Sequence, residues 1–257
     1  MQISIKVENL GNVREVLAKL SGPQARGAYA KAVNDTAFQV RRAMKEEMAK
    51  VFDRPTPYIL NSSYVQMATP DKLSARIAPE NKRDSVGVDP QKILQAQEFG
   101  GPRRDKRSEL AFRRAGILMP GWQIAIPSTP YPGSSDGRGN LRGPFVAQLI
   151  SYFAASAEQG YSANMTDKRK RAIHRGTKKT SGRRYFVSYG RLRGQHLAAG
   201  IWAASGTGGV DVRPVAMFVR AGRYTPRLSM QRVADQVGVQ AYMDKRLRFR
   251  IREAAGI

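Results

Sequence analysis

From Ser21 to Pro57 the chain reads "SGPQARGAYAKAVNDTAFQVRRAMKEEMAKVFDRPTP", and one apolar stripe runs through nearly all of it. Ala25, Ala28, Tyr29, Ala32, Val33, Ala37, Val40, Met44, Met48 and Val51 recur at helical spacing. Arg26, Lys31, Arg41, Arg42, Lys45 and Lys50 occupy the opposite face. Ser21 and Pro23 supply start signals, and Pro55 with Pro57 ends the element. The spacing predicts a helix over 24–53, about 45 Å long at 1.5 Å per residue. Such a rod exceeds what a small core needs. Other parts of the chain, or a neighbouring subunit, must cover its stripe.

The remaining elements are shorter. Met1–Val7 alternates as a half-buried strand, and "NVREVLAKL" places Val13, Val16, Leu17 and Leu20 on one helical face. Strands are expected around Tyr64–Thr69 and Leu73–Ala78, joined by the turn "TPDK". "DPQKILQAQEFGG" reads as a helix ended by Gly100 and Gly101. Beyond Gly101 the chain is basic and rich in Pro, Gly and Ser, and only "PFVAQLISYFAASAEQ" keeps helical spacing. "RRYFVSY" then alternates, and a hairpin follows around Gly206–Gly209. Pro214 makes its second strand an edge or bulged strand. From Ser229 to Ala255 a helix is expected, although "RLRFRIR" would also suit a strand.

These readings give an α+β fold: a small mixed or antiparallel sheet flanked by the long N-terminal helix and a C-terminal helix. Residues 1–98 and 183–257 are expected to form the core, and 99–182 a long, partly irregular, basic Pro/Gly-rich extension.

The chain has 257 residues, no Cys and only two His, His174 and His196. Disulfides and thiolate chemistry are excluded, and most zinc sites need more ligands. No run of apolar residues is long enough to span a bilayer, and the N-terminus lacks a signal-peptide core. Cytoplasmic synthesis is therefore expected.

Formal charge is +24. Residues 1–98 carry 15 basic and 11 acidic side chains, against 29 and 9 in residues 99–257. The excess concentrates in "DKRKRAIHRGTKKTSGRRYFVSYGRLRG", Asp167 to Gly194. Its cations are Lys168, Arg169, Lys170, Arg171, Arg175, Lys178, Lys179, Arg183, Arg184, Arg191 and Arg193. Such a density implies a polyanionic neighbour, nucleic acid first and an anionic membrane surface second, because unscreened self-repulsion is destabilising. A solvated basic face is the plainer alternative. No helix-turn-helix, zinc-finger or RNP pattern accompanies it, so the expected contact is with backbone phosphates. Tyr185, Phe186 and Tyr189 are of a type that stacks on bases. The alternation of Tyr185 and Tyr189 favours core packing instead.

No catalytic, cofactor-binding or metal-binding residue is assigned. Asp71, Glu80 and Lys82 match the acid-plus-ExK spacing of Mg²⁺ nucleases, and this is one alternative reading. Against it, Asp71 falls in a turn, and Glu80 follows Pro79 where a strand ends. "HRGTKKTSG" lacks the first glycine of a phosphate loop. A free, non-specific nucleoid-type DNA-binding protein is the other alternative.

The segment "ARGAYAKAVNDTAFQVRRAMKEEMAKVFDRPTPYI" and the segment "LAAGIWAASG…VRPVAMFVRAGRYTPRLSMQRVADQV" together resemble the tailed-bacteriophage minor tail protein Z family. These are tail completion, or neck, proteins, and the resemblance covers roughly half the chain. It implies a non-enzymatic virion protein at the head–tail junction, forming a homo-oligomeric ring, most often six-fold. Its expected partners are connector or head-closure proteins, tail-tube or tail-terminator proteins, and double-stranded DNA in the lumen, so that the basic run meets DNA, acidic faces of neighbouring rings, or both. Residues 99–182 depart from the family pattern.

Overall fold

The computed structural model describes residues 3–4, 22–80, 88–156, 163–178 and 180–256. In chain order the first elements are β1 (Ile3–Ser4), α1 (Gly22–Val51), α2 (Pro57–Leu60), β2 (Ser63–Gln66) and β3 (Arg76–Pro79). α3 (Pro90–Phe99), β4 (Gly101–Pro102), α4 (Arg107–Arg114), β5 (Trp122–Ala125) and α5 (Gly143–Tyr152) follow. Next come α6 (Asp167–Arg175), β6 (Gly176–Thr177), β7 (Thr180–Ser181), β8 (Arg183–Ser188), β9 (Gly200–Ser205) and β10 (Asp211–Arg220). β11 (Arg223–Tyr224), α7 (Met230–Val237) and α8 (Val239–Ala255) complete the chain. The fold is α+β, with a long N-terminal helix and small antiparallel sheets. The expected helix over residues 12–20 and most of the strand at 1–7 lie outside the described residues.

The chain divides into two compact units, Met1–Gly101 with Arg223–Ile257, and Pro102–Gly222. This corrects the expected organisation: strands β8 to β10 do not join the N-terminal core but share a unit with residues 102–182 of the expected 99–182 extension, whose partly irregular course holds over 126–142. The reason is packing. Tyr185, Ile201, Ala203, Ala216 and Phe218 of those strands bury against Phe112, Leu118, Phe145, Leu149 and Tyr152. The expected extension thus supplies the apolar cover for the strands that follow it.

In the first unit, α1 places Ala28, Ala32, Val33, Ala37, Val40, Met44 and Met48 in the core. Opposite them Met243, Leu247 and Ile251 of α8 repeat every four residues. That repeat resolves "RLRFRIR" as helix, because the apolar burial follows the helical period and not the two-residue one. Gly238 separates α7 from α8 with φ 62°, a conformation a side chain disfavours. β2 and β3 pair antiparallel, with Val65 opposite Ile77, and β1 pairs with the other edge of β3. The "TPDK" turn closes as expected, Thr69 N–H donating to the Lys72 carbonyl at 2.9 Å. Asn34 of α1 holds its entry: Nδ2 donates to the Ala68 carbonyl and Oδ1 accepts the Ala68 N–H, at 3.0 and 2.7 Å.

The second unit is built on an antiparallel sheet ordered β5-β10-β9-β8. The predicted hairpin joins β9 to β10, and the register shifts between Pro214 and Ala216. Pro214 therefore sits at a bulge in a central strand, where its missing N–H is tolerated. An aromatic cluster fills the core. The rings of Tyr131 and Phe145 stack at 6.1 Å, and Tyr152 meets Tyr185 edge-on at 5.1 Å. Glu109 of α4 is fully buried. Its carboxylate accepts two bonds from Arg103, at 2.6 and 2.8 Å, and the Lys106 and Ile124 N–H groups, each at 2.7 Å. Burial pushes the Glu109 carboxyl up, but these donors outweigh it and hold it below the usual carboxylate range. The network fastens α4 to β5.

Candidate functional site

Ten of the eleven predicted cations lie on described residues, all in the second unit; Lys179 falls outside them. The structure sorts them into two groups at the two ends of β8.

The first group starts with α6. Thr166 caps the helix, its hydroxyl accepting the Arg169 N–H at 3.4 Å. Asp167, the only acid, lies in the first turn, where the helix dipole favours it. Ile173 turns toward the core of the unit. His174 Nε2 and Tyr152 Oη are 2.8 Å apart, and the Lys170 ammonium stands 5.8 Å from the Tyr152 ring centroid. Lys168, Arg169, Arg171 and Arg175 remain exposed, as does Lys178 at the turn of the β6–β7 hairpin.

Close approach holds this helix against the entry to β8. A Cβ at Gly182 would lie 2.1 Å from the His174 carbonyl oxygen and 2.9 Å from the Arg175 carbonyl carbon. Only a glycine lets the two backbones meet there. Immediately after it, Arg184 is exposed, while Arg183 is half-buried with its guanidinium 5.9 Å from the Tyr185 ring.

The second group lies past β8, on a 3₁₀ turn over Gly190–Arg193. Six strand residues, about 20 Å, separate it from the first. Arg191 is exposed, and Arg193 covers the Tyr189 ring at 4.2 Å. Tyr189 is fixed by its hydroxyl, which donates to the Gly116 carbonyl at 3.3 Å, and by its N–H, which donates to Gln195 Oε1.

Among the described residues, none of these ten cations makes an ion pair. Elsewhere in the same unit some arginines are paired: Arg103 with Glu109, Arg113 with Asp105 at 2.8 Å, and Arg213 with Asp211 at 2.9 Å. Arg104, Arg107, Arg114, Arg142 and Arg220 make no ion pair among the described residues. What sets the α6–β8 run apart is its density, since residues 168–193 hold all of these cations and no acid.

Tyr185 is a core residue, and burial pushes its hydroxyl up to about 12. It is not free to stack on a base. Phe186 points to the opposite face of the sheet, level with Trp202 and Pro214 in the strand register.

The nuclease alternative gains little from the geometry. Asp71 is exposed in its turn, with its backbone carbonyl accepting from Arg26 at 3.3 Å. The Glu80 carboxylate pairs with Arg76 at 3.7 Å, and Lys82 lies outside the described residues. Among the described residues no three His, Asp or Glu side chains gather as metal ligands.

A second exposed basic surface escaped the sequence reading. On α8, Lys245, Arg248 and Arg252 face solvent beside Phe249, which is half exposed. Four-residue spacing within "RLRFRIR" is the signal that reveals it, since Arg246 and Arg250 fall on one side and Arg248 and Arg252 on another.

Comparison with family models finds no match, and comparison with curated proteins and with solved structures finds none either. Among the described residues no helix is long and apolar enough to cross a membrane.

Proposed function

We propose that this chain is a non-enzymatic structural protein of a tailed-phage virion, a tail completion or neck protein at the head–tail junction. Its second unit presents the α6–β8 cations to double-stranded DNA. One observation carries the reading: ten clustered cations lack any ion-pair partner among the described residues, and the run 168–193 that holds them contains no acidic residue. Their self-repulsion is offset when a polyanion lies opposite. Two stretches of the sequence resemblance lend support, namely α1 and the β9–β10 hairpin with its "GIW" and "MFVR" strands. In a six-fold ring, six copies of a +24 chain would carry +144 around the genome.

The direct test is the salt dependence of duplex binding. Replacing Lys168, Arg169, Lys170 and Arg171 by Ala reduces the log–log slope by about 0.9 for each phosphate no longer neutralised. An unchanged slope moves the surface to a protein–protein role. Imaging virions with this subunit labelled tests the location, and label found away from the head–tail junction overturns it.

A further inference from the structure

The exposed side of α8 carries a second surface with chemistry of its own. Lys245, Arg248, Phe249 and Arg252 follow i, i+3, i+4, i+7 spacing, the pattern of one helix laid along another. With Ala241 and Asp244 they form an open surface along one side of the helix. From Ala241 to Arg252 the stripe spans about 16 Å. None of its three cations makes an ion pair among the described residues. Asp244 is the one acid on this surface against three cations, so the surface stays net positive.

Phe249 stands in the middle of the stripe, 50% exposed. Its ring is fixed in place: the guanidinium carbons of Arg246 and Arg250 stand 4.6 and 5.5 Å from its centroid. Both arginines are themselves tied to Asp35 of α1. The helix below is held by Met243, Leu247 and Ile251 in the core. The aromatic is therefore presented on a rigid base, which lowers the ordering cost of binding.

We infer that this stripe is a docking surface for an acidic amphipathic helix of a partner protein. Carboxylates of the occupant would meet Lys245, Arg248 and Arg252, and an apolar position would cover Phe249. Charge complementarity selects an anionic occupant, so a second copy of this +24 chain is disfavoured. A duplex phosphate backbone is anionic too, but it offers nothing apolar to a central phenylalanine. Interfaces concentrate their binding energy in a few central residues, aromatics and arginines prominent among them, ringed by contacts that exclude water. The surface lies on the first unit and does not depend on the DNA binding proposed above.

The probe is a labelled 21-residue helical peptide with leucines along one stripe flanked by glutamates, titrated against the full-length protein. A scrambled peptide of equal composition serves as control. The striped peptide is expected to bind at least tenfold more tightly than the scramble. Phe249→Ala, and separately the pair Arg248→Ala with Arg252→Ala, should each erase that preference. The Lys168–Arg171 alanine variant should preserve it. Because the altered side chains are exposed, unchanged far-ultraviolet dichroism is expected and is checked first. Equal binding of the two peptides, or a preference that survives Phe249→Ala, overturns the inference. So does duplex DNA that competes through Arg248 and Arg252 without regard to Phe249, or a Phe249-dependent dimer in sedimentation.

Discussion

Asp35 of α1 and Arg250 of α8, 215 residues apart in sequence, are joined by a two-point ion pair. Arg250 Nε reaches Oδ2 at 2.8 Å, and its Nη2 reaches Oδ1 at 2.9 Å. Arg246 adds bonds of 2.9 and 2.7 Å to the same Oδ2. The three side chains are each about one-fifth to one-quarter exposed. Burial pushes the Asp35 carboxyl up, and the two arginines more than reverse this, holding it below the usual range. A depressed carboxyl stabilises the fold above its unfolded pKa of about 3.9, and that contribution is lost as pH falls through the folded value. Asp35→Asn is expected to cost about 1–3 kcal/mol at neutral pH. In urea titrations the gap between the wild type and this variant should close as pH falls below about 4.

Glu109→Gln breaks the pair with Arg103 inside the second unit and leaves a guanidinium without its counter-charge. A loss of about 3 kcal/mol is expected. Both tryptophans, Trp122 and Trp202, belong to this unit, so their fluorescence during denaturation reads the effect directly.

Tyr185 should be among the last tyrosines to ionise. Burial raises its hydroxyl to about 12 in the folded chain. Below about pH 10 the neutral ring is common to both states; above it the unfolded chain loses the proton first. Stability of the second unit should therefore fall as pH climbs from about 10 to 12. Tyrosinate absorbance should show a late component that Tyr185→Phe removes.

Gly182→Ala forces a methyl group into the His174 carbonyl. Amide exchange across Asp167–Arg175 should quicken by about tenfold or more as α6 is pushed off β8, since a displaced short helix opens locally. Exchange within α1 should stay as it was.

Much of this architecture was legible because certain residues leave little choice. The α1 stripe, the helix ending at Gly100, the hairpin at Gly206–Gly209 and the irregularity at Pro214 all rest on periodicity or on backbone limits. The unit boundary was not legible, because alternation in 183–220 says that strands form without saying what covers them. α4 was hidden by its charges: "RSELAFRR" turns Glu109 inward, and a buried carboxylate does not register as core. α6 gives little helical signal in the sequence because only Ile173 marks its inner face, and the rest of its anchoring comes from Lys170 and His174. The cation surface itself was visible as composition, but its split into two groups by β8 required the fold.

Since α8 completes the cover over the α1 stripe, synthesis has an order imposed on it. The ribosome finishes α1 at Val51 and does not begin α8 until Val239. At cellular elongation rates of about 5–20 residues per second, the interval lasts roughly 10–40 s. During that time the whole of Pro102–Gly222 emerges as one unbroken stretch and is free to fold. The nascent chain must meanwhile shield an alanine- and methionine-lined surface that has no mate yet, which makes the growing polypeptide a natural client for chaperones.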